Sequence, residues 1–204
     1  ASAEIEYEKQ ADRLSKKRAA GAAKFRTAVE KELAFVALEK AAFEVRFTER
    51  EAFSAEGSER AEFYFSANPG EPARPLAKVA SGGEVSRLML VLRTVSGKKE
   101  TQRTAVFDEI DIGIGGRVAE AVGRRLQKLA ASQQVLCVTH QPQIASLADH
   151  HFVVEKSTRS NTTKLAVREL DASERIDEVA RMLAGREITE AARENAKAML
   201  AAAK

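Results

Sequence analysis

The sequence predicts an α/β protein built on a mainly parallel sheet flanked by helices. Two short apolar runs, TAVFDE at 104–109 and QVLCVTH at 134–140, are typical of buried parallel strands. The segment between them, 116–131, has the apolar spacing of a helix. The first strand ends in acids and the second in a histidine, which is the layout of an open sheet whose ligands lie beyond the carboxyl ends of its strands.

The rest of the chain is predicted to add a long N-terminal helix, further strands on both sides of the core pair, and C-terminal helices. Residues 1–40 are rich in Ala, Glu, Lys and Arg, lack proline and repeat apolar residues at helical spacing. We interpret that helix either as a coiled-coil strand, which needs a partner helix, or as an amphipathic helix packed on the body of the protein. Alternation and periodicity predict strands at 43–48, 61–67, 151–156 and 164–170, and helices at 83–96 and from Ser173 onward.

The composition is typical of a folded protein with a small net charge. The 204 residues are 44% hydrophobic, and 33 Lys and Arg against 30 Asp and Glu give a net charge of +3, which permits nucleic-acid binding without arguing for it. Cys137 stands alone in an apolar run, so we expect a small core residue in a reducing compartment and not a nucleophile. The absence of an 18-residue apolar stretch and of an N-terminal signal pattern predicts a cytoplasmic protein without a membrane partner.

The stretch SGGE at 81–84 stands directly before the helix at 83–96 and has two interpretations. Ser81 could cap the helix, with Glu84 completing a capping box. Alternatively, Gly82 and Gly83 leave the helix N-terminus bare, and exposed N–H groups with a helix dipole bind phosphate. These residues alone do not choose between the two.

The strand ends carry the residue types of phosphoryl chemistry. Asp108 could hold Mg²⁺, because a hard cation prefers oxygen ligands, and Glu109 could orient or deprotonate a water molecule. His140 ends the second strand. Taken singly, an acid pair is more often a solvated strand end, and a lone histidine is more often structural.

The order of these motifs resembles the C-terminal half of an ABC-type ATPase head, with its signature motif, Walker B strand and switch histidine. Four stretches resemble more closely the RecN family, bacterial DNA-repair relatives of the SMC proteins: VASGGEVSRLML, VFDEIDIGIGGR, VLCVTHQPQIASLADHHFVVEK and RELDASERIDEVARMLAG. The resemblance implies that residues 41–204 form the C-terminal lobe of such a head and that residues 1–40 are the returning strand of its coiled-coil arm.

In such heads two ATP molecules are held between two subunits. The resemblance implies that Asp108 serves Mg²⁺, Glu109 polarises the attacking water and His140 bridges to the γ-phosphate. The signature residues would contact the ATP of the partner head in a homodimer; these are Ser81, Gly82, Gly83 and Glu84.

Two departures from the family pattern stand out. Many ABC and SMC heads have an aspartate that crosses the dimer interface in the loop after Walker B, but here Gly115 occupies that place and Asp111 is the nearest acid. The phosphate loop G-x-x-x-x-G-K-[ST] is also missing, since Gly97-Lys98 is followed by Lys99. We therefore expect half of a nucleotide site, inactive alone, whose N-terminal Walker A half lies elsewhere.

The function implied by the resemblance is ATP hydrolysis in DNA double-strand-break repair and recombination, with double-stranded DNA or DNA ends as a partner at the nucleoid. Two alternatives stay open. One is another SMC-like or ABC head, Rad50-like or RecF-like. The other is a non-hydrolytic interaction module that keeps the lobe to bind a protein or a DNA end.

Overall fold

The computed structural model describes residues 2–79, 82–96, 104–159, 162–185 and 187–203. The chain divides into two compact units, Ala1–Lys98 and Lys99–Lys204. Ser81 and the Gly97-Lys98-Lys99 sequence considered above lie outside the described residues.

The first unit combines two helices with a small antiparallel sheet. Strand β1 pairs with β2 along its whole length, and β2 pairs with the two-residue strand β3. Short 3-10 turns follow α1 and β3 at Ala34–Val36 and Leu76–Lys78. In chain order the elements are α1 at Ser2–Leu33, β1 at Ala42–Glu49, β2 at Glu59–Ser66, β3 at Arg74–Pro75 and α2 at Gly82–Ser96.

Aromatic side chains join the C-terminal part of α1 to the β1–β2 hairpin. The ring of Phe25 lies 5.9 Å from that of Phe43 and 5.8 Å from that of Phe63, between centroids. The rings of Phe43 and Phe63 are 5.4 Å apart. Val29 and Leu33 continue the same helix face into the core, where both are buried. The apolar spacing read from the sequence is therefore the contact face of α1.

The N-terminal part of α1 contacts the loop between β1 and β2. The backbone N–H of Ser54 donates to the Tyr7 hydroxyl over 3.2 Å, and the Tyr7 ring meets Phe53 edge-on at 4.8 Å. Gly57 has φ +91°, and a Cβ there would lie 3.0 Å from the Leu14 side chain, so this approach requires glycine. These contacts favour a helix packed on its own unit, while the arm assignment of residues 1–40 stays a prediction.

The second unit contains the predicted strand–helix–strand core. Strand β4 pairs with β5 in parallel, as predicted, with Phe107 opposite Cys137. An antiparallel hairpin of β6 and β7 and two C-terminal helices follow. The elements are β4 at Thr104–Phe107, α3 at Gly116–Ala130, β5 at Gln134–Cys137, α4 at Pro142–Ala145, β6 at Phe152–Arg159, β7 at Thr162–Glu169, α5 at Ala172–Ala184 and α6 at Glu190–Ala202.

The mixed α/β class with a long N-terminal helix is confirmed, but the pairing is not mainly parallel. Among the described residues, only β4 and β5 pair in parallel, and the other three strand pairs are antiparallel. The connections explain the difference. Residues 50–58 and 160–161 are too few for a crossover, whereas the segment between β4 and β5 contains a helix that brings the chain back to the same end.

Helices α5 and α6 pack on each other around small side chains, with Val179, Ala180 and Ala196 fully buried. The start of α5 is fixed by a capping box, in which the Asp171 carboxylate accepts from the backbone N–H groups of Ser173 and Glu174. In the described part of the chain, no helix is both long and apolar enough to cross a membrane.

Replacing Phe43 by alanine should destabilise the first unit by about 3 to 5 kcal/mol, because it removes a buried ring and leaves a cavity beside Phe25 and Phe63. Phe53→Ala is the matched control: the side chain is 68% exposed, so its loss should cost under about 1 kcal/mol. Urea denaturation of the chain measures both. Equal losses for the two variants would contradict the packing described for α1.

Candidate functional site

The candidate site lies where the parallel strands end. Beyond the last paired residues, the backbone N–H of Val138 donates to the Phe107 carbonyl over 2.9 Å, so the two strands stay side by side up to their final residues. The loop at 108–115 and the loop at 139–141 therefore begin next to each other. This is the edge at which open α/β sheets bind ligands.

The acid pair is exposed at the start of the first loop. Glu109 has φ +58°, a left-handed conformation that costs a non-glycine residue about 1 to 3 kcal/mol. Its backbone N–H donates to Asp108 Oδ1 over 2.8 Å, and its carbonyl accepts from Ile112 N–H over 3.2 Å. The next residue, Ile110, is fully buried and anchors the turn. The Glu109 side chain is exposed at this strained turn.

Asp108 fits a magnesium site as one ligand among several. It offers a hard, exposed carboxylate at the end of β4. Within the described ranges, no cluster of three or more His, Cys, Asp or Glu side chains could hold a metal by itself. A magnesium ion held here would take its other ligands from water and from phosphate oxygens, as is usual for this ion at nucleotide sites.

The buried carboxylate of Asp111 joins the two loops. Its Oδ2 accepts from Thr139 Oγ1–H over 2.5 Å and from the His140 backbone N–H over 2.8 Å. The same oxygen lies 3.0 Å from His140 Nδ1. The Asp111 side chain is 3% exposed and that of His140 is 69% exposed, so a fixed acid orients a histidine that faces solvent.

Gln141 makes a second link between the loops. Its side-chain Nε2 donates to the Ile114 carbonyl over 3.0 Å and lies 3.3 Å from His140 Nε2. Its backbone N–H donates to Thr139 Oγ1 over 3.0 Å. Both ring nitrogens of His140 are therefore engaged within the unit.

The glycines of the first loop set its path. Gly113 and Gly116 have φ values of +74° and +51°, which favour glycine. Gly115 is extended and exposed, and it precedes α3 as its N-cap. Of the two residues considered for contact with a partner head, Gly115 is thus on the surface, whereas the burial of Asp111 disfavours such a contact for its carboxylate.

The segment after His140 is packed tightly against α3. A Cβ at Gly123 would lie 2.6 Å from Leu147 Cδ1 and 3.3 Å from the Ile144 Cα, so glycine permits the close approach of α3 and α4. The Arg175 guanidinium of α5 donates to several backbone carbonyls at and after the end of α4. Burial lowers the pKa of this guanidinium. Those carbonyls belong to Ala145, Ser146, Ala148 and Asp149.

Cys137 lies half-buried at the end of β5. Burial raises the pKa of its thiol to about 12, and the charges of Asp111 and Asp108 act in the same direction. Since the thiolate is the nucleophilic form, the thiol is inert near neutral pH, as expected from its apolar surroundings in the sequence.

The signature residues belong to the other unit, in the first turn of α2. Gly82 is exposed, Gly83 is buried and Glu84 is half-buried. Burial lowers the pKa of Arg87 on the next turn, and the charge of Glu84 opposes that shift. Ser81, and with it the proposed cap, lies outside the described residues.

The structure thus brings together Asp108, Glu109, Asp111 and His140 at one strand edge. Sequence reasoning missed the residues that hold this edge in place: Thr139, Gln141, Gly123 and Arg175. A glycine inside a helical pattern was a usable signal for close packing at Gly123. Arg175 resembles any charged residue on a helix, and nothing near it in sequence marks its contacts.

Comparisons with known proteins identify relatives over nearly the whole chain. The DNA repair protein RecN of Rickettsia bellii is 44% identical over 195 residues, covering 96% of this chain and 36% of that protein. The DNA repair protein RecN of Halalkalibacterium halodurans is 42% identical over 176 residues, covering 84% of this chain and 31% of that protein. The chain spans about a third of the length of these relatives. No family profile matches it.

A solved structure supports the fold. The Smc head domain with a coiled coil and joint from Pyrococcus yayanosii superposes with a TM-score of 0.52 at 15% identity, covering 80% of this chain and 29% of that one. At this identity the likeness concerns the fold alone. With the sequence relatives, it leads to one assignment: the chain belongs with the RecN proteins, as a homologue of their C-terminal segment, and has the fold of an SMC head.

Proposed function

We propose that the chain is the C-terminal part of a RecN-type ATPase head that hydrolyses ATP in DNA double-strand-break repair once it is joined to its Walker A half. The observation that carries the proposal is the strand edge at which an exposed acid pair and an oriented histidine occupy adjacent loops. Their order along the chain is that of an ATPase head. The homology to RecN supports the choice of this family over other SMC-like heads.

Each residue has a distinct part in this mechanism. Asp108 would hold Mg²⁺, whose charge offsets that of the phosphates when nucleotide is bound. Glu109, whose side chain is exposed, orients the attacking water and accepts its proton. His140 donates to the γ-phosphate. Phosphoryl transfer depends chiefly on positioning and charge, so a residue displaced from its place loses its effect.

The signature motif completes the site from the partner head. Under the proposal, the first turn of α2, with Gly82 and Gly83, faces the ATP of a second copy, where backbone N–H groups and the helix dipole favour phosphate. Hydrolysis then depends on dimerisation. We propose DNA, double-stranded or at ends, as the further partner and the bacterial cytoplasm at the nucleoid as the location, in line with the bacterial RecN relatives.

An exposed apolar sheet face supports the proposal of a missing half. Parallel strands are normally buried on both faces, yet Val106, Leu136 and Val138 are 66%, 48% and 63% exposed on one face of the β4–β5 pair. The chain matches a C-terminal segment that is about a third of the RecN relatives, and we propose the portion preceding that segment as the occupant of this face.

In the full-length protein, Glu109→Gln should keep ATP binding and lower hydrolysis by about 100- to 10,000-fold, because the amide preserves shape but cannot accept the water's proton. Head dimers should accumulate with ATP and Mg²⁺ in light scattering. Asp108→Asn should instead weaken the dependence on Mg²⁺ concentration. Unchanged hydrolysis by Glu109→Gln would contradict the role proposed for Glu109. If the full-length protein hydrolyses no ATP, a non-hydrolytic interaction module becomes the better proposal.

Leu136→Lys should abolish co-purification of this chain with the separately tagged preceding portion, because a charge on the bare face would be buried unpaired in the joined head. Ile188→Lys is the control, since Ile188 is 37% exposed before α6 in the same unit and belongs neither to the proposed face nor to the predicted arm. Circular dichroism should show both variants folded. If Leu136→Lys co-purifies as well as the unmodified chain, the face of Val106, Leu136 and Val138 is not the interface with the preceding portion.

Ser81→Arg should abolish hydrolysis without weakening ATP binding to the head that carries it, because the signature serine is expected to face the partner's nucleotide. Mixing this variant with one disabled in the Walker A lysine should restore part of the activity, since one composite site then carries neither change. Ser81→Ala controls for arginine blocking the dimer outright. If Ser81 is only a helix cap, both variants should lose roughly 1 kcal/mol of stability and retain most of the activity.

A further inference from the structure

The contact between Asp111 and His140 determines which ring nitrogen carries hydrogen. Asp111 Oδ2 accepts from the His140 backbone N–H, and that N–H can only donate, so the oxygen acts as an acceptor there. The ring Nδ1 lies 3.0 Å from the same oxygen and therefore faces it as a donor. Because the Asp111 side chain is 3% exposed, water offers little competition for this contact.

Gln141 selects the same form of the ring independently. Its Nε2 donates to the Ile114 carbonyl, an atom that can only accept, which identifies the amide nitrogen as the atom at this position. That nitrogen lies 3.3 Å from His140 Nε2, so the ring nitrogen is the acceptor. Two neighbours on different loops thus favour the tautomer with hydrogen on Nδ1 and a lone pair on Nε2.

From these contacts we propose that Asp111 is a positioning residue for His140: it fixes the ring through Nδ1 and leaves Nε2 as the atom presented to a phosphate. The inference rests on the proposed ATPase function. Gln141 occupies Nε2 until the ligand arrives. Phosphate oxygens accept hydrogen bonds, so when phosphate binds the ring accepts a proton from solvent at Nε2 and keeps it. The Nε2–H group then donates a hydrogen bond to a phosphate oxygen, and the Asp111 carboxylate offsets the charge of the imidazolium.

Kinetics of the full-length protein test whether Asp111 acts through His140. Asp111→Ala should lower kcat about 10- to 100-fold and leave KM for ATP within about twofold, as for other carboxylates that orient a functional histidine. In a His140→Ala background the same change should lower kcat much less, because the part of the loss that acts through the ring is already gone. Asp111→Asn keeps an acceptor oxygen and should recover part of the loss.

Asp177→Ala is the matched control for these variants, because Asp177 is an aspartate of the same unit whose carboxylate pairs with Arg193 at the surface, away from the strand edge. It should leave kcat unchanged. If Asp111→Ala lowers kcat as much with His140 absent as with it present, Asp111 supports the fold and not the histidine, and the proposal is overturned.

A measurement on the 204-residue chain separates this inference from the ATPase proposal. Nitrogen-15 imidazole spectra should show the Nδ1–H tautomer for His140, and Asp111→Ala should shift it towards the Nε2–H form that free imidazole side chains prefer. His150 and His151 serve as internal references. An unchanged tautomer overturns the positioning role. If His140→Ala leaves ATP hydrolysis unaffected, the ATPase role of His140 fails, while the spectra still decide whether Asp111 positions the ring.

Discussion

The buried carboxylate of Asp111 is the constraint on which the strand edge depends. A carboxylate removed from water is costly unless donors surround it, and the donors here come from the loop after β5: the Thr139 hydroxyl, the His140 backbone and the His140 ring. Neither loop can move away without leaving that oxygen unsatisfied. Because separating the loops would leave the buried Asp111 carboxylate without donors, the two loops are fixed relative to each other. The exposed His140 ring is held in place by its contact with this carboxylate.

Close packing of α3, α4 and α5 restricts the segment that follows the His140 loop. Gly123 lets α4 approach α3 so closely that even a methyl group would collide with Leu147. Arg175 adds hydrogen bonds to the Ala145 and Ser146 carbonyls at the end of α4. Glu109 keeps a left-handed conformation beside the buried Ile110, with its N–H bonded to Asp108 and its carbonyl to Ile112. A strained backbone conformation persists only where several surrounding contacts fix it, and such conformations are concentrated at functional sites.

Features that depend on the pattern of apolar residues within one segment could be predicted from the sequence. Strands β4 and β5, the helix between them and the positions of Asp108, Glu109 and His140 at strand ends all follow from apolar runs and their boundaries. Pairing across the rest of the chain was misjudged, because the direction of a strand depends on its connection and not on its composition. The Asp111–His140 contact was missed because its members belong to different loops, and in the sequence Asp111 is only one more acid beside an acidic strand end.

Two kinds of observation bear on the completeness of the site, and they are independent. One is chemical: under the proposal the chain supplies a carboxylate for metal, one for water and a histidine for phosphate, but its sequence has no G-x-x-x-x-G-K-[ST] loop to cradle a nucleotide. The other is physical: the parallel pair from which these residues project presents Val106, Leu136 and Val138 on a bare face. Parallel sheets owe their stability to burial on both sides. A single occupant that supplied both the phosphate cradle and the cover for this face would account for both observations, so the proposed joining of the two halves would complete a hydrophobic core and a nucleotide site in one step.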